Sequence, residues 1–151
     1  MLMVLTTISG LNSGCAKKKG CTDPDSINYN ADAEEDDGTC KYEGQVVFWF
    51  DQTTAQGLLN DGAISLTYYV NGQIIGSSAS NLYWTGAPTC GQDGSVTYTK
   101  DLGSFKTQSY NFSVKDQTNW EYWNGVININ ANFCTKMKLS WTKSSQKKCK
   151  D

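Results

Sequence analysis

The stretch "AISLTYYVNGQIIG", residues 63–76, decides the fold. Its first half alternates: Ile64, Leu66, Tyr68 and Val70 fall on one side, Ser65, Thr67 and Tyr69 on the other. A period of two belongs to a half-buried strand, because successive side chains of an extended backbone point to opposite faces. Asn71-Gly72 then turns the chain into "QIIG". Two-residue hairpin turns need positive φ, which asparagine and glycine tolerate. The same pattern extends outward in both directions. Upstream, "VVFWF" (46–50) is a continuous apolar run of the kind buried on both faces. Downstream, "SVTYT" (95–99) follows a glycine-rich turn. "SYNFSVK" (109–115) sends Tyr110, Phe112 and Val114 inward against Asn111, Ser113 and Lys115. "NGVININANF" (124–133) sets Ile127, Ile129, Ala131 and Phe133 inward, opposite Val126, Asn128, Asn130 and Asn132, and "KMKLSW" (136–141) ends the pattern. "DQTTAQGLL" (51–59) reads equally as a helical turn or a loop. About seven short strands separated by turn signals predict an all-β fold. The expected architecture is an antiparallel β-sandwich of immunoglobulin or transthyretin type over residues 44–142.

Composition narrows the function classes. The chain has 151 residues and a net charge of −2, and its 13 basic residues are all lysine. Without arginine there is no fork for bidentate contact with phosphate or guanine, so nucleic acid is not an expected partner. Histidine is absent, which removes the usual general base near neutral pH and the usual neutral metal ligand. A hydrolase would need a Ser-Lys pair or two facing carboxylates. The domain offers only Asp51, Asp61, Asp93, Asp101, Asp116 and Glu121, mostly beside turn residues. No catalytic residue is expected; a hydrolase is the least favoured reading.

Six cysteines, at positions 15, 21, 40, 90, 134 and 149, point to an oxidising compartment. No C-x-x-C pair is present to build a thiolate zinc site, so disulfides are the expected use. The first residues, "MLMVLTTISGLNSGC" (1–15), are apolar and end in small residues. They resemble a bacterial lipoprotein signal, with 1–14 as the signal peptide and Cys15 as the lipidated residue. The resemblance implies an exported protein held to the outer membrane or cell surface by lipid. Residues 15–19 would be the lipidated cysteine and a basic spacer, "AKKKG". Its lysines either attract anionic headgroups or form a solvated linker.

"GCTDPDSINYNADAEEDDGTC" (20–40) places two cysteines around seven acidic residues and no basic one. It resembles the GCTDP…NYN…DDGSC module of exported and lipid-anchored proteins of the Bacteroidetes, with Thr39 in the serine position. That resemblance sets a module over residues 20–43 and implies export, but brings no activity with it. A segment this small has almost no apolar core, only Ile27, Tyr29 and a few methyl groups. A Cys21–Cys40 staple is therefore expected, worth about 3 kcal/mol on the chain-entropy account. Asp23-Pro24 and Asp37-Gly38 read as turns. Asp32, Glu34, Asp36 and Glu43 stand at the first, third, fifth and twelfth positions of an EF-hand-like loop. Asp37, however, occupies the place where glycine must turn, and Cys40 interrupts the loop. A different calcium loop remains the candidate metal site, with Asp23, Asp32, Glu34, Asp36 and Asp37 as its ligands. The alternative is a solvated acidic spacer.

From "PTCGQDG" (88–94) to "ANFCTKMKL" (131–139), the domain resembles small β-sandwiches of Bacteroidetes lipoproteins. These carry a Cys-Gly turn and a second cysteine on the last strands. The resemblance implies a Cys90–Cys134 bond, about 4 kcal/mol by loop length. Cys149 then stands alone in a lysine-rich tail, residues 143–151; without lipidation, Cys15–Cys149 is the remaining pair. Two aromatic groups stand out: Trp120, Tyr122 and Trp123 in "NWEYWNG", and Trp84 beside Tyr83 in "NLYW". Aromatic planes near asparagine amides suit a sugar, and they equally suit a core or rim. The expectation is a non-catalytic envelope lipoprotein with a structural or protein-binding role. A calcium-dependent carbohydrate-binding module is the alternative.

Overall fold

A computed structural model describes residues 16–142. The signal segment, Cys15, Cys149 and the lysine-rich tail lie outside the described residues. Two short strands, β1 (Lys19–Gly20) and β2 (Glu35–Asp36), belong to the acidic module. The domain then runs β3 (Tyr42–Trp49), α1 (Gln52–Asn60), β4 (Ser65–Val70), β5 (Gln73–Ala79), β6 (Val96–Gly103), β7 (Thr107–Asp116), β8 (Glu121–Asn130) and β9 (Cys134–Lys138). Strands β6-β3-β9 form one sheet and β5-β4-β7-β8 the other. The sandwich read from the alternation is therefore present. Asn71 and Gly72 make its hairpin turn with φ of 46° and 77°.

Between the sheets, Phe48 on β3 meets Tyr68 on β4 and Phe112 on β7 at centroid distances of 5.7 and 5.5 Å. Tilted aromatic packing of this kind adds to the area these rings bury. Val46, Phe50, Leu66, Val70, Val114, Ile127 and Ile129 complete the same layer, all buried. Val47 points to the other side of β3 and is buried too. The segment 80–95 crosses that outer face as a strap. Its Trp84 N–H donates to Phe50 O at 2.9 Å and its Gly91 N–H to Thr97 Oγ1 at 2.9 Å. Cys90 bonds Cys134. "VVFWF" is apolar on both faces because both faces are covered.

Three details depart from the sequence reading. The pairing of β3 with β9 is parallel, Gln45 beside Cys134 and Trp49 beside Lys138, within an otherwise antiparallel sandwich. Residues 52–60 form a full helix instead of a turn. Asp51 caps it, Oδ1 accepting the Thr54 N–H at 3.0 Å, and Gly62 ends it at φ 81° with Ala63 N–H reaching back to Leu58 O. Ile64 and Phe133 face solvent instead of the core. Ile64 precedes the first paired residue of β4, and Asn132 turns the chain with φ 50° just before Phe133.

Glycine closes the sandwich edge. A Cβ on Gly44 would stand 2.2 Å from the carbonyl oxygen of Asn130. Only a bare Cα lets β3 approach β8 this closely.

Candidate functional site

The acidic module is closed by the expected Cys21–Cys40 bond and held by asparagines rather than by a core. Asn28 Oδ1 accepts the Lys41 N–H at 2.8 Å, while its Nδ2 donates to Thr39 O at 2.9 Å. One side chain thus joins the limbs on either side of the turn. Asp36 Oδ1 takes the Gly38 N–H and Asp37 Oδ1 takes the Thr39 N–H and hydroxyl. These are the self-bonded turns that Asp adopts before glycine, and Gly38 sits at φ 74°. The Thr39 contacts hold the Asp37 carboxyl below the usual carboxylate range.

The five candidate calcium ligands do not converge. Among the described residues, no three acidic side chains come close enough to share a cation. The chain's own lysines explain why. Lys18 Nζ lies 2.7 Å from Asp32 Oδ2 and Lys19 Nζ lies 3.6 Å from Glu35 Oε1, as β1 pairs in parallel with β2. Asp32 is held below the usual range by Lys18. Asp23 turns the other way, toward the sandwich. Its Oδ2 lies 2.5 Å from Lys106 Nζ and accepts the Tyr42 hydroxyl at 2.8 Å, and Lys106 also stands 5.7 Å over the Tyr42 ring. The Lys106 hydrogen bond, then the Tyr42 hydroxyl, hold the Asp23 carboxyl below its ordinary value. "AKKKG" is thus no free basic linker: Lys18 and Lys19 zip onto the acidic loop, while Asp23 docks that loop onto the domain.

Tyr122 and Trp123 lie on β8, and Tyr122 is buried. Tyr122 Oη donates to Asp61 Oδ2 at 2.8 Å. Burial, then Asp61, pushes the Tyr122 hydroxyl pKa well up. Trp141, which sequence reasoning did not single out, completes the group at 5.9 Å from the Tyr122 ring; Trp123 lies at 5.7 Å. Trp141 presses on Gly57 of α1, where a Cβ would meet its ring at 2.3 Å. Trp123 donates its indole N–H to Ser140 O. Trp120 is packed against the core, its backbone N–H bound by Asp116 Oδ1 at 3.0 Å. Trp84 sits apart on the strap. The four candidates therefore form no single stacking platform; Tyr122 and Trp123 instead hold the end of α1 and the segment that follows the last strand.

A two-lobed concavity lies elsewhere, on the outer face of the β6-β3-β9 sheet. One lobe, about 340 Å³, is walled by Pro24, Asp25 and Ile27 of the module and floored by Glu43 and Gln45 of β3. The second, about 670 Å³, continues past Phe133 to the Cys90–Cys134 bond, Thr135 and Lys136. Gln45, Phe133 and Cys134 line both lobes. No signal in the local pattern exposed this cleft, because its two walls are the module and the strap, brought together only by the fold. No family model, curated protein or solved structure matches the chain.

Proposed function

We propose that the chain is an exported, lipid-anchored envelope protein of a Bacteroidetes-type bacterium that binds or displays and catalyses nothing. The disulfides Cys21–Cys40 and Cys90–Cys134 support an extracytoplasmic compartment. Among the described residues no helix is long and apolar enough to cross a membrane; the resemblance of residues 1–15 to a lipoprotein signal makes a lipid on Cys15 the proposed attachment. One observation carries the anchored reading. Only Ala16 and Lys17 separate Cys15 from Lys18, whose carbonyl already accepts the Glu34 N–H at 2.8 Å. A lipid on Cys15 holds the acidic module against the bilayer as a short pedestal. Strand β3 leads away from the module to α1, so the helical end faces outward.

Intact mass of the protein from native membranes, with non-reducing peptide mapping, tests this. The expected result is a triacylated Cys15. An unmodified Cys15 bonded to Cys149 overturns the anchor.

A carbohydrate ligand is the second reading, and one feature favours it. At the helical end Gln52 and Gln56 of α1 face Asn81 and Tyr83 across a pocket of about 130 Å³, which Ala55 and Leu59 also line; the set is uncharged. Among the described residues, no three carboxylates of the acidic loop converge on a shared cation position. A glycan array read with and without chelator separates the two: binding unaffected by chelator supports the sugar, and silence in both supports a protein partner.

A further inference from the structure

We infer that the cleft between the acidic module and the strap is a binding site for a short extended peptide. The peptide carries a lysine or arginine at one end, an apolar side chain in the middle and a carboxylate at the other end. This deepens the binding role proposed above and rests on it.

Three observations point to the same occupant. First, the cleft is dipolar. Glu43 and Asp25 lie at the module end and Lys136 at the strap end. Among the described residues neither Glu43 nor Lys136 has an ion-pair partner. Asp25 shares Lys106, at 3.5 Å, with Asp23. A neutral glycan satisfies neither end and an anionic headgroup only one, whereas a peptide of mixed charge satisfies both.

Second, the middle is apolar and displayed on purpose. Phe133 is 59% exposed and Ile27 66% exposed, both lining the module lobe. The alternation of 124–133 would have sent Phe133 inward. It is turned out by Asn132 at φ 50°, and the neighbouring backbone is held by Asn132 N–H to Glu43 O at 2.8 Å and Gln45 N–H to Phe133 O at 3.0 Å. Asparagine adopts this left-handed backbone readily, so the turn itself directs the Phe133 ring outward. Exposed aromatic side chains in a concave site are the usual anchors of peptide and protein recognition.

Third, the length fits. Lys136 pairs in register with Val47, so it stands four strand steps beyond Glu43, about 13 Å along β3. That span is about four residues of extended chain. Gln45 lies midway; its Nε2 bonds Thr99 Oγ1 at 2.9 Å, which leaves its carbonyl oxygen to accept a peptide N–H.

The test is selection of random seven-residue peptides displayed on phage against the purified full chain. The intact protein should enrich a basic residue and an acidic one about four positions apart, with an apolar residue between. Phe133→Ser should lower the affinity of a selected peptide by about tenfold, while Val126→Ser, exposed on β8 of the other sheet, should leave it unchanged. The paired charge swap Glu43→Lys with Lys136→Glu should select the reversed polarity. All these positions are exposed, and the melting temperature of each variant checks that the fold is intact. If Phe133→Ser and the charge swap select the same peptides as the intact chain, the cleft is not the site, though a binding role survives. If the intact chain enriches no peptide, the cleft and the peptide-binding role both fall.

Discussion

Replacing Gly44 by alanine should destabilise the domain, although a strand interior ordinarily gains from that change. Alanine restricts the unfolded chain and contributes about 0.5–1 kcal/mol to strand stability. At this position the new Cβ would stand 2.2 Å from Asn130 O, 2.7 Å from Ile129 Cγ2 and 3.0 Å from Asn130 C. Two of the three obstacles are backbone and cannot rotate away. Restoring an ordinary contact of about 3.4 Å to the oxygen opens β3 from β8 by about 1 Å, at the junction where Asn132 and Phe133 bond back to β3. Overpacking of this kind costs about 1–3 kcal/mol, and a backbone obstacle puts the cost at the upper end. The net loss is about 2 kcal/mol, which lowers the melting temperature by about 8 °C for a domain of this size. Thermal and urea unfolding followed by circular dichroism measure it, with Gly86→Ala as the control, since no atom lies within 4 Å of a Cβ there. A Gly44→Ala variant as stable as Gly86→Ala, or more stable than the parent, would refute the close approach of β3 to β8.

Four further outcomes are expected. Cys90→Ala with Cys134→Ala frees the strap and should cost about 4 kcal/mol in denaturant unfolding, with hydrogen exchange rising first in 80–95. Asp51 has its carboxyl lowered to about 2 by Lys138 and the Thr54 N–H. A lowered folded value means stability present above the ordinary carboxylate range and lost as pH falls toward 2. Asp51→Asn keeps the helix cap and should flatten the acid limb between about pH 4 and 2, whereas Asp51→Ala should also cost about 1 kcal/mol at pH 7. Tyr122→Phe removes the hydroxyl that Asp61 accepts and should cost about 1 kcal/mol, with loss of the near-ultraviolet signal of the Trp123–Trp141 group. Melting curves with calcium and with chelator should superimpose, because Lys18 and Lys106 already pair with Asp32 and Asp23, two of the five candidate ligands, and no three carboxylates converge among the described residues; a calcium-dependent rise of several degrees would overturn that.

Much of the sandwich was readable because its signals are local. Alternation places Tyr68, Val70, Tyr110, Phe112, Val114, Ile127 and Ile129 inward, and an asparagine-glycine pair turns a hairpin for reasons contained in its own backbone. The lack of a core in the acidic module foretold the Cys21–Cys40 staple, and the resemblance to small lipoprotein β-sandwiches implied Cys90–Cys134. The candidate site was less readable. Trp120, Tyr122 and Trp123 look the same in sequence whether they stack on a sugar or seat a helix. What separates the two is Trp141 and Gly57, which lie far apart in the chain.

The sequence by itself determined which segments extend, where they turn and which compartment the cysteines suit. Each of those depends on neighbours within a few residues, or on chemistry that does not depend on place. Only the tertiary structure decided that β9 runs parallel to β3, that the lysines of the spacer pair with Asp32 and Glu35, and that Phe133 looks out into a cleft. These outcomes depend on which distant surface each segment meets. An ion pair or an exposed ring takes its meaning from what the fold sets opposite it.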